Sequence, residues 1–212
     1  MRTITDLKNI LDKKWPEATF KAAESEKIVF ATGIEEIDRL LPHRGIPLGQ
    51  MIEMTGPVSS GKTSLLYKIL AKITHERLAV YFDLSNSFYP SAATCCGVNI
   101  DCLVVVKTGD VLLGLRTAES LLYHGKTSCV ILDLIDQEKP LPMTLLHRLR
   151  MQTTRSKALT FFLTADNTQI IPSSIVSLRL SVRRLDLRRV EVEVTKSRIS
   201  KEGLKTDLVL YD

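Results

Sequence analysis

The run Gly56-Pro57-Val58-Ser59-Ser60-Gly61-Lys62-Thr63 constrains this 212-residue chain more than any other stretch. It fits G-x-x-x-x-G-K-[ST]. In that pattern the glycines let the backbone turn tightly and aim its N–H groups at a phosphate chain. Lys62 reaches the outer phosphates and the Thr63 hydroxyl meets Mg²⁺, with Ser64 next in line. The flanks suit the loop. Met51-Ile52-Glu53-Met54 reads as a short buried strand. Ser64-Leu65-Leu66-Tyr67-Lys68-Ile69-Leu70 reads as an amphipathic helix whose positive end faces the phosphates. A Gly/Ser turn that merely precedes a helix is the plain alternative, but it does not account for strand, loop and helix together.

With 44% hydrophobic residues the chain can build one α/β domain with a sizeable core. The net charge of +5 suits an anionic partner without naming one. Cys95, Cys96, Cys102 and Cys129 have neither metal-ligand nor disulfide-framework spacing, so they are expected as reduced core thiols of a cytoplasmic protein. The N-terminus has no signal-peptide core, and no stretch is long enough to span a membrane.

Residues 1–15 predict an amphipathic helix stopped by Pro16, and residues 1–29 as a whole an N-terminal helix and linker. From residue 30 to 212 a nucleotide-binding core is expected. Ile28-Val29-Phe30 is a short strand, and Ile34 to Leu41 a helix with Thr32 as its cap. Arg44 to Gly49 is a turn. Strands are expected at Leu78–Asp83, Leu103–Val106, Cys129–Asp133 and Leu159–Thr164. Helices are expected at Ser91–Cys96, Val111–Tyr123 and Leu141–Thr154. This alternation predicts a mostly parallel sheet with helices on both faces. Period-two segments follow at Ser177–Arg183, Arg189–Thr195 and Asp207–Tyr211, predicting antiparallel strands at the C-terminal edge.

Asp133, ending an apolar strand, is the candidate carboxylate for Mg²⁺, directly or through water. A strand-end aspartate capping the next turn is the plainer reading, and Asp136, beyond the strand, is the backup. Arg179, Arg183, Arg184, Arg188 and Arg189 are candidates for phosphate contacts with DNA. A solvated, protective sheet edge explains them equally. No aromatic residues interleave with them, so a base-stacking platform is not supported.

The series Thr32-Gly33-Ile34, Ile37-Asp38, Gly45-Ile46-Pro47, Gly49 and Gly56 to Thr63 resembles the opening of the bacterial RecA recombinase core. Weaker matches continue through Phe82-Asp83, Gly97 to Asp101, Val176 to Arg184 and Val192 to Arg198. The resemblance implies a RecA-like P-loop fold that binds ATP and Mg²⁺ and assembles side by side as a homo-oligomer on single-stranded DNA. Lys196 and Arg198 match the two family lysines that reach the γ-phosphate held by the next subunit. Ordinary edge-strand charge is the alternative. Phe20-Lys21-Ala22-Ala23 resembles the Phe-x-x-Ala motif by which relatives of RecA grip a neighbour, though two fixed residues also arise by chance.

The departures from the family pattern bear on activity. Ser85 stands where the water-activating glutamate is expected, and Ala165 where a glutamine senses the γ-phosphate. Tyr89 stands where an aspartate is usual beside the adenine. The DNA-facing loops are short, at Leu134–Leu141 and Thr168–Ser174, and no counterpart of the family's C-terminal domain is expected. Weak or absent hydrolysis and weak, non-specific DNA binding are therefore expected. Three functions compete. The first is a recombination or translesion-synthesis accessory in DNA repair and the SOS response, partnering a translesion polymerase or other repair protein. The second is a nucleotide-gated protein-interaction module that does not bind DNA. The third is a DNA-dependent ATPase using Asp83 or Asp136 as base.

Overall fold

A computed structural model describes residues 28–166 and 170–210. The expected helix over residues 1–15, the Phe20–Ala23 motif, most of the 1–29 segment and Tyr211 lie outside those residues.

The chain opens with β1 (Val29–Phe30), α1 (Glu35–Leu40) and β2 (Ile46–Pro47), with β1 and β2 pairing antiparallel. It continues with β3 (Met51–Gly56), α2 (Lys62–Glu76), β4 (Ala79–Asp83), α3 (Pro90–Cys95), β5 (Leu103–Lys107) and α4 (Val111–Tyr123). Then come β6 (Cys129–Leu134), α5 (Met143–Ser156), β7 (Leu159–Ala165), β8 (Leu178–Arg184), β9 (Arg189–Ser197) and β10 (Lys205–Val209).

Eight strands form one sheet in the order β10-β9-β8-β3-β7-β6-β4-β5. The run from β8 to β5 is parallel, while β9 and β10 join antiparallel at the edge. β4 and β6 are buried throughout, because a parallel sheet covered on both faces selects continuous apolar runs. Successive side chains still part to opposite faces. Ile52 and Met54 meet Leu65, Leu66, Ile69 and Leu70 of α2 on one face. Met51, Val130, Leu132 and Phe162 meet Leu115 and Leu122 of α4 and Leu146 and Leu149 of α5 on the other. The Asp110 carboxylate starts α4 by accepting from Leu112 N (2.9 Å) and Leu113 N (3.1 Å), two of the donors that a helix start leaves free.

The antiparallel edge follows from strict alternation. Leu178, Leu180 and Val182 point into the core, and Arg179, Ser181 and Arg183 point to the other face. Local differences from expectation have local causes. Thr32 does not cap α1. Its buried hydroxyl donates to Asp38 (2.8 Å) and accepts from Ile34 N (3.2 Å), and Ile34 is the cap residue. The turn expected over 44–49 contains β2, whose ladder closes on β1. Among the thiols only Cys129 is buried, and Cys95 is exposed. Ile170, Ile171, Ile175 and Val176 are buried in the second core, so residues 170–176 ahead of β8 pack down against the domain.

Candidate functional site

β3 lies between β7 and β8, whereas β4, next in sequence, lies beyond β7 and β6. Such a reversal of strand order leaves a crevice at the carboxyl ends of the strands. Gly56, Asp83, Asp133 and Ala165 all stand at or near those ends.

The loop from Gly56 to Lys62 has a fixed shape. Gly61 is left-handed (φ 91°) and begins α2, and Ser59 is left-handed at φ 59°. A Cβ on Gly61 would lie 2.7 Å from Leu210 Cδ1 and 2.9 Å from Val190 Cγ1. A Cβ on Gly56 would lie 2.2 Å from the Val182 carbonyl oxygen. Both motif glycines are therefore demanded by the strands behind them as well as by the turn. Lys62 is buried, and its Nζ donates to the carbonyls of Gly56 (3.0 Å) and Pro57 (3.1 Å). Burial lowers its pKa, and the carboxylates of Asp133 and Asp166 act in the opposite direction. An ammonium has three protons, and the bonds to acceptors among the described residues use two, which leaves one for a phosphate oxygen. The Ser60 hydroxyl is buried with no hydrogen-bond partner among the described residues. Val58 is 84% exposed at the loop tip. Thr63 and Ser64 are half-buried in the first turn of α2. An orphaned hydroxyl, a spare ammonium proton and the start of a 15-residue helix fit a phosphate chain.

Asp133 is fully buried. Its Oδ2 accepts from the Tyr81 hydroxyl (2.8 Å) and the Ser87 hydroxyl (2.6 Å), and its Oδ1 from Ile135 N (3.3 Å). Burial and this carboxylate push the Tyr81 phenol far above its ordinary range, so it stays a donor. A carboxylate offers about four acceptor positions. Three are used here, and the fourth fits a metal-bound water better than direct coordination. The network runs on: Ser85 Oγ donates to Ser87 Oγ at 2.9 Å. Asp83, level with Asp133 on the neighbouring strand, accepts from Ser87 N (2.8 Å) and Phe88 N (3.3 Å), with Lys107 Nζ 3.9 Å from its second oxygen. Asp136 is exposed beyond the strand, and Tyr89 is 64% exposed.

The five arginines do not converge. Arg179 Nε donates to the buried Glu53 carboxylate at 2.7 Å, and its other nitrogens hold Ser173 Oγ and the Ile171 carbonyl. Arg184 turns to the opposite face, where its Nε donates to the Ser59 carbonyl of the phosphate loop (2.8 Å). Arg189 pairs with Asp186 at 2.7 Å, and that contact with the Arg188 and Arg189 N–H groups holds the Asp186 carboxyl down to about 2. Arg183 is exposed opposite Glu191, and Arg188 is exposed in the hairpin turn. Lys196 is half-buried on β9, and Arg198 donates to the Ser174 carbonyl. The roles of Tyr81 and Ser87 and the Arg184–Ser59 bond were not legible in the sequence. Only the hydroxyls crowded after Asp83 hinted at them.

A family model described as the RecA N-terminal domain matches residues 8–141. Protein RecA of Lactococcus lactis subsp. cremoris (strain MG1363) is 33% identical over 116 residues, 54% of this chain and 30% of that protein. Protein RecA of Limosilactobacillus reuteri (strain DSM 20016) is 34% identical over 106 residues, 50% of this chain and 29% of that protein. Protein RecA of Clostridium beijerinckii is likewise 34% identical over 106 residues. The chain thus matches about three tenths of the length of these relatives. With the family model covering more than half of the chain, and with the parallel sheet, switch-point crevice and phosphate loop in place, the chain belongs to the RecA family.

Proposed function

We propose that this chain is an ATP-binding protein of DNA repair that accompanies recombination or translesion synthesis without exchanging strands itself. The observation that carries it is the loop around Lys62, with the unpartnered Ser60 hydroxyl beside it. Gly56 to Ser64 hold the triphosphate, and Thr63 and Asp133 the Mg²⁺ ion, which supplies charge neutralisation. Hydrolysis is slow. Ser85 carries no carboxylate, and the hydroxyl pair Ser85–Ser87 feeds into Asp133. General-base catalysis contributes roughly 10²–10⁴-fold, and that is the part missing. Arg183 and Arg188 are left for weak phosphate contacts with single-stranded DNA, and Lys196 and Arg198 for a neighbouring subunit.

A second reading, a nucleotide-gated interaction module that does not bind DNA, draws on the engagement of Arg179, Arg184 and Arg189 within the domain. Titration of fluorescent ATP with Mg²⁺ into the wild type and Lys62→Ala tests the shared claim. Charged hydrogen bonds are worth ~1.5–3 kcal/mol each, so binding weakens at least about ten-fold. Equal affinity in both proteins, or none in either, defeats the nucleotide reading.

A further inference from the structure

α4 and α5 lie side by side on the sheet face opposite α2, and the cleft between them is an open groove of about 950 Å³. Its walls are Leu112, Tyr123, Leu145 and Met151, with Arg116 and Arg148 on the rim. Leu112 is 42% exposed, Tyr123 60% and Met151 59%, an uncommon share of apolar surface for two adjoining helices. Gln152 lines the same groove. It is 7% exposed, and its Oε1 is buried with no hydrogen-bond partner among the described residues. A buried acceptor without a donor is costly, and native proteins seldom leave one unmatched.

The charge around the groove is one-sided. Glu119 is the lining carboxylate, and Arg148 Nε already donates to it at 2.8 Å. Arg116 is exposed, and the Arg155 guanidinium sits over the Tyr123 ring at 5.7 Å. The groove thus offers an apolar floor, one buried acceptor and a positive rim.

We propose that the α4–α5 groove docks an acidic, apolar peptide segment of another protein. The segment lies along the cleft as an amphipathic helix, anchored by apolar side chains three and four residues apart. Its carboxylates meet Arg116, Arg148 and Arg155, and one of its donors reaches Gln152 Oε1. A second copy of this chain fits less well. A symmetric contact would set these arginines against their own copies. The groove is built by helices remote from the phosphate loop, so the assignment stands whether or not nucleotide binds.

Selection of a displayed random-peptide library on the whole chain tests this, followed by anisotropy with labelled synthetic peptides. Enriched peptides are expected to combine Leu, Met or Phe at three- and four-residue spacing with Asp and Glu. Met151→Glu and Arg148→Glu should each weaken their binding at least ten-fold, while Val104→Thr on β5 changes nothing. Gln152→Leu removes the orphaned acceptor, so it should leave the fold at least as stable while weakening the peptide. The same variants bind nucleotide as the wild type does, which separates this proposal from the one above. No enrichment, enriched peptides without carboxylates, or binding indifferent to Met151→Glu overturns it. So does a dimer in sedimentation that Met151→Glu dissociates, because the occupant would then be a second copy.

Discussion

Arg184 on β8 donates from Nε to the carbonyl oxygen of Ser59, 125 residues earlier, at 2.8 Å. The bond fastens the tip of the phosphate loop to the antiparallel edge of the sheet. Arg184 is therefore a positioning residue for the loop. Arg184→Met keeps much of the stem and removes the donor. It should weaken fluorescent-ATP binding several-fold while thermal unfolding moves little, since the side chain is exposed. An unchanged affinity would show that the loop keeps its shape without this tie.

Hydrolysis should stay well below ~1 s⁻¹, the low end of ordinary turnover, with or without single-stranded DNA. The reason is local. Ser85 donates its hydroxyl to Ser87, and Ser87 to Asp133, so no free carboxylate stands at the position of the family glutamate. A phosphate-release assay measures this. Fast turnover abolished by Asp83→Asn or Asp136→Asn would identify that aspartate as the base and favour the DNA-dependent ATPase.

Glu53 and Arg179 form an ion pair in which the carboxylate is 1% exposed. Beyond Arg179, only the Thr164 hydroxyl donates to it among the described residues, at 3.0 Å. Removing one partner of a buried pair costs about 3–5 kcal/mol, because the survivor stays buried and unpaired. Arg179→Met should therefore lower the urea midpoint strongly. The double variant Glu53→Gln with Arg179→Met should recover part of the loss. Equal denaturation midpoints for wild type and Arg179→Met would remove the pair from the account of stability.

DNA affinity should be weak, indifferent to sequence and sensitive to salt, because phosphate contacts release counterions and carry no base information. Charge reversal at Arg183 and Arg188, which unlike Arg179, Arg184 and Arg189 make no side-chain hydrogen bond among the described residues, should weaken it further. Lys196→Ala should leave it almost unchanged. Anisotropy with labelled oligonucleotides across a salt series reads all of these. Tight binding that ignores salt, or none at low salt, contradicts this account.

How much was legible beforehand follows from range. The phosphate loop and α4 (Val111–Tyr123) come from local pattern: glycines at fixed offsets and helical spacing of apolar residues. The alternation in β8 likewise announces an edge strand by its own residues. What could not be read are the pairings across distance. Arg179 looks like any exposed arginine until Glu53, 126 residues away, is brought beside it. The arginine cluster dissolves because period two sends Arg183 and Arg184 to opposite faces, and the fold gives each a different neighbour. Asp133 was legible as a carboxylate at a strand end. Its engagement by Tyr81 and Ser87 was not, since those donors come from β4 and the turn after it.

The wall behind the phosphate loop, made by Val190 and Leu210 against Gly61, has a consequence for biosynthesis. A nascent chain leaves the ribosome amino-terminus first. Gly56 to Thr63 emerges early, with its own strand and helix, yet the surfaces that fix its curvature are translated more than a hundred codons later. While the chain is still being made, the motif is present without the shape that would let it grip a triphosphate. The wall that shapes the loop arrives only with β8, β9 and β10, so a fragment that ends before them carries the motif without the surfaces that curve it.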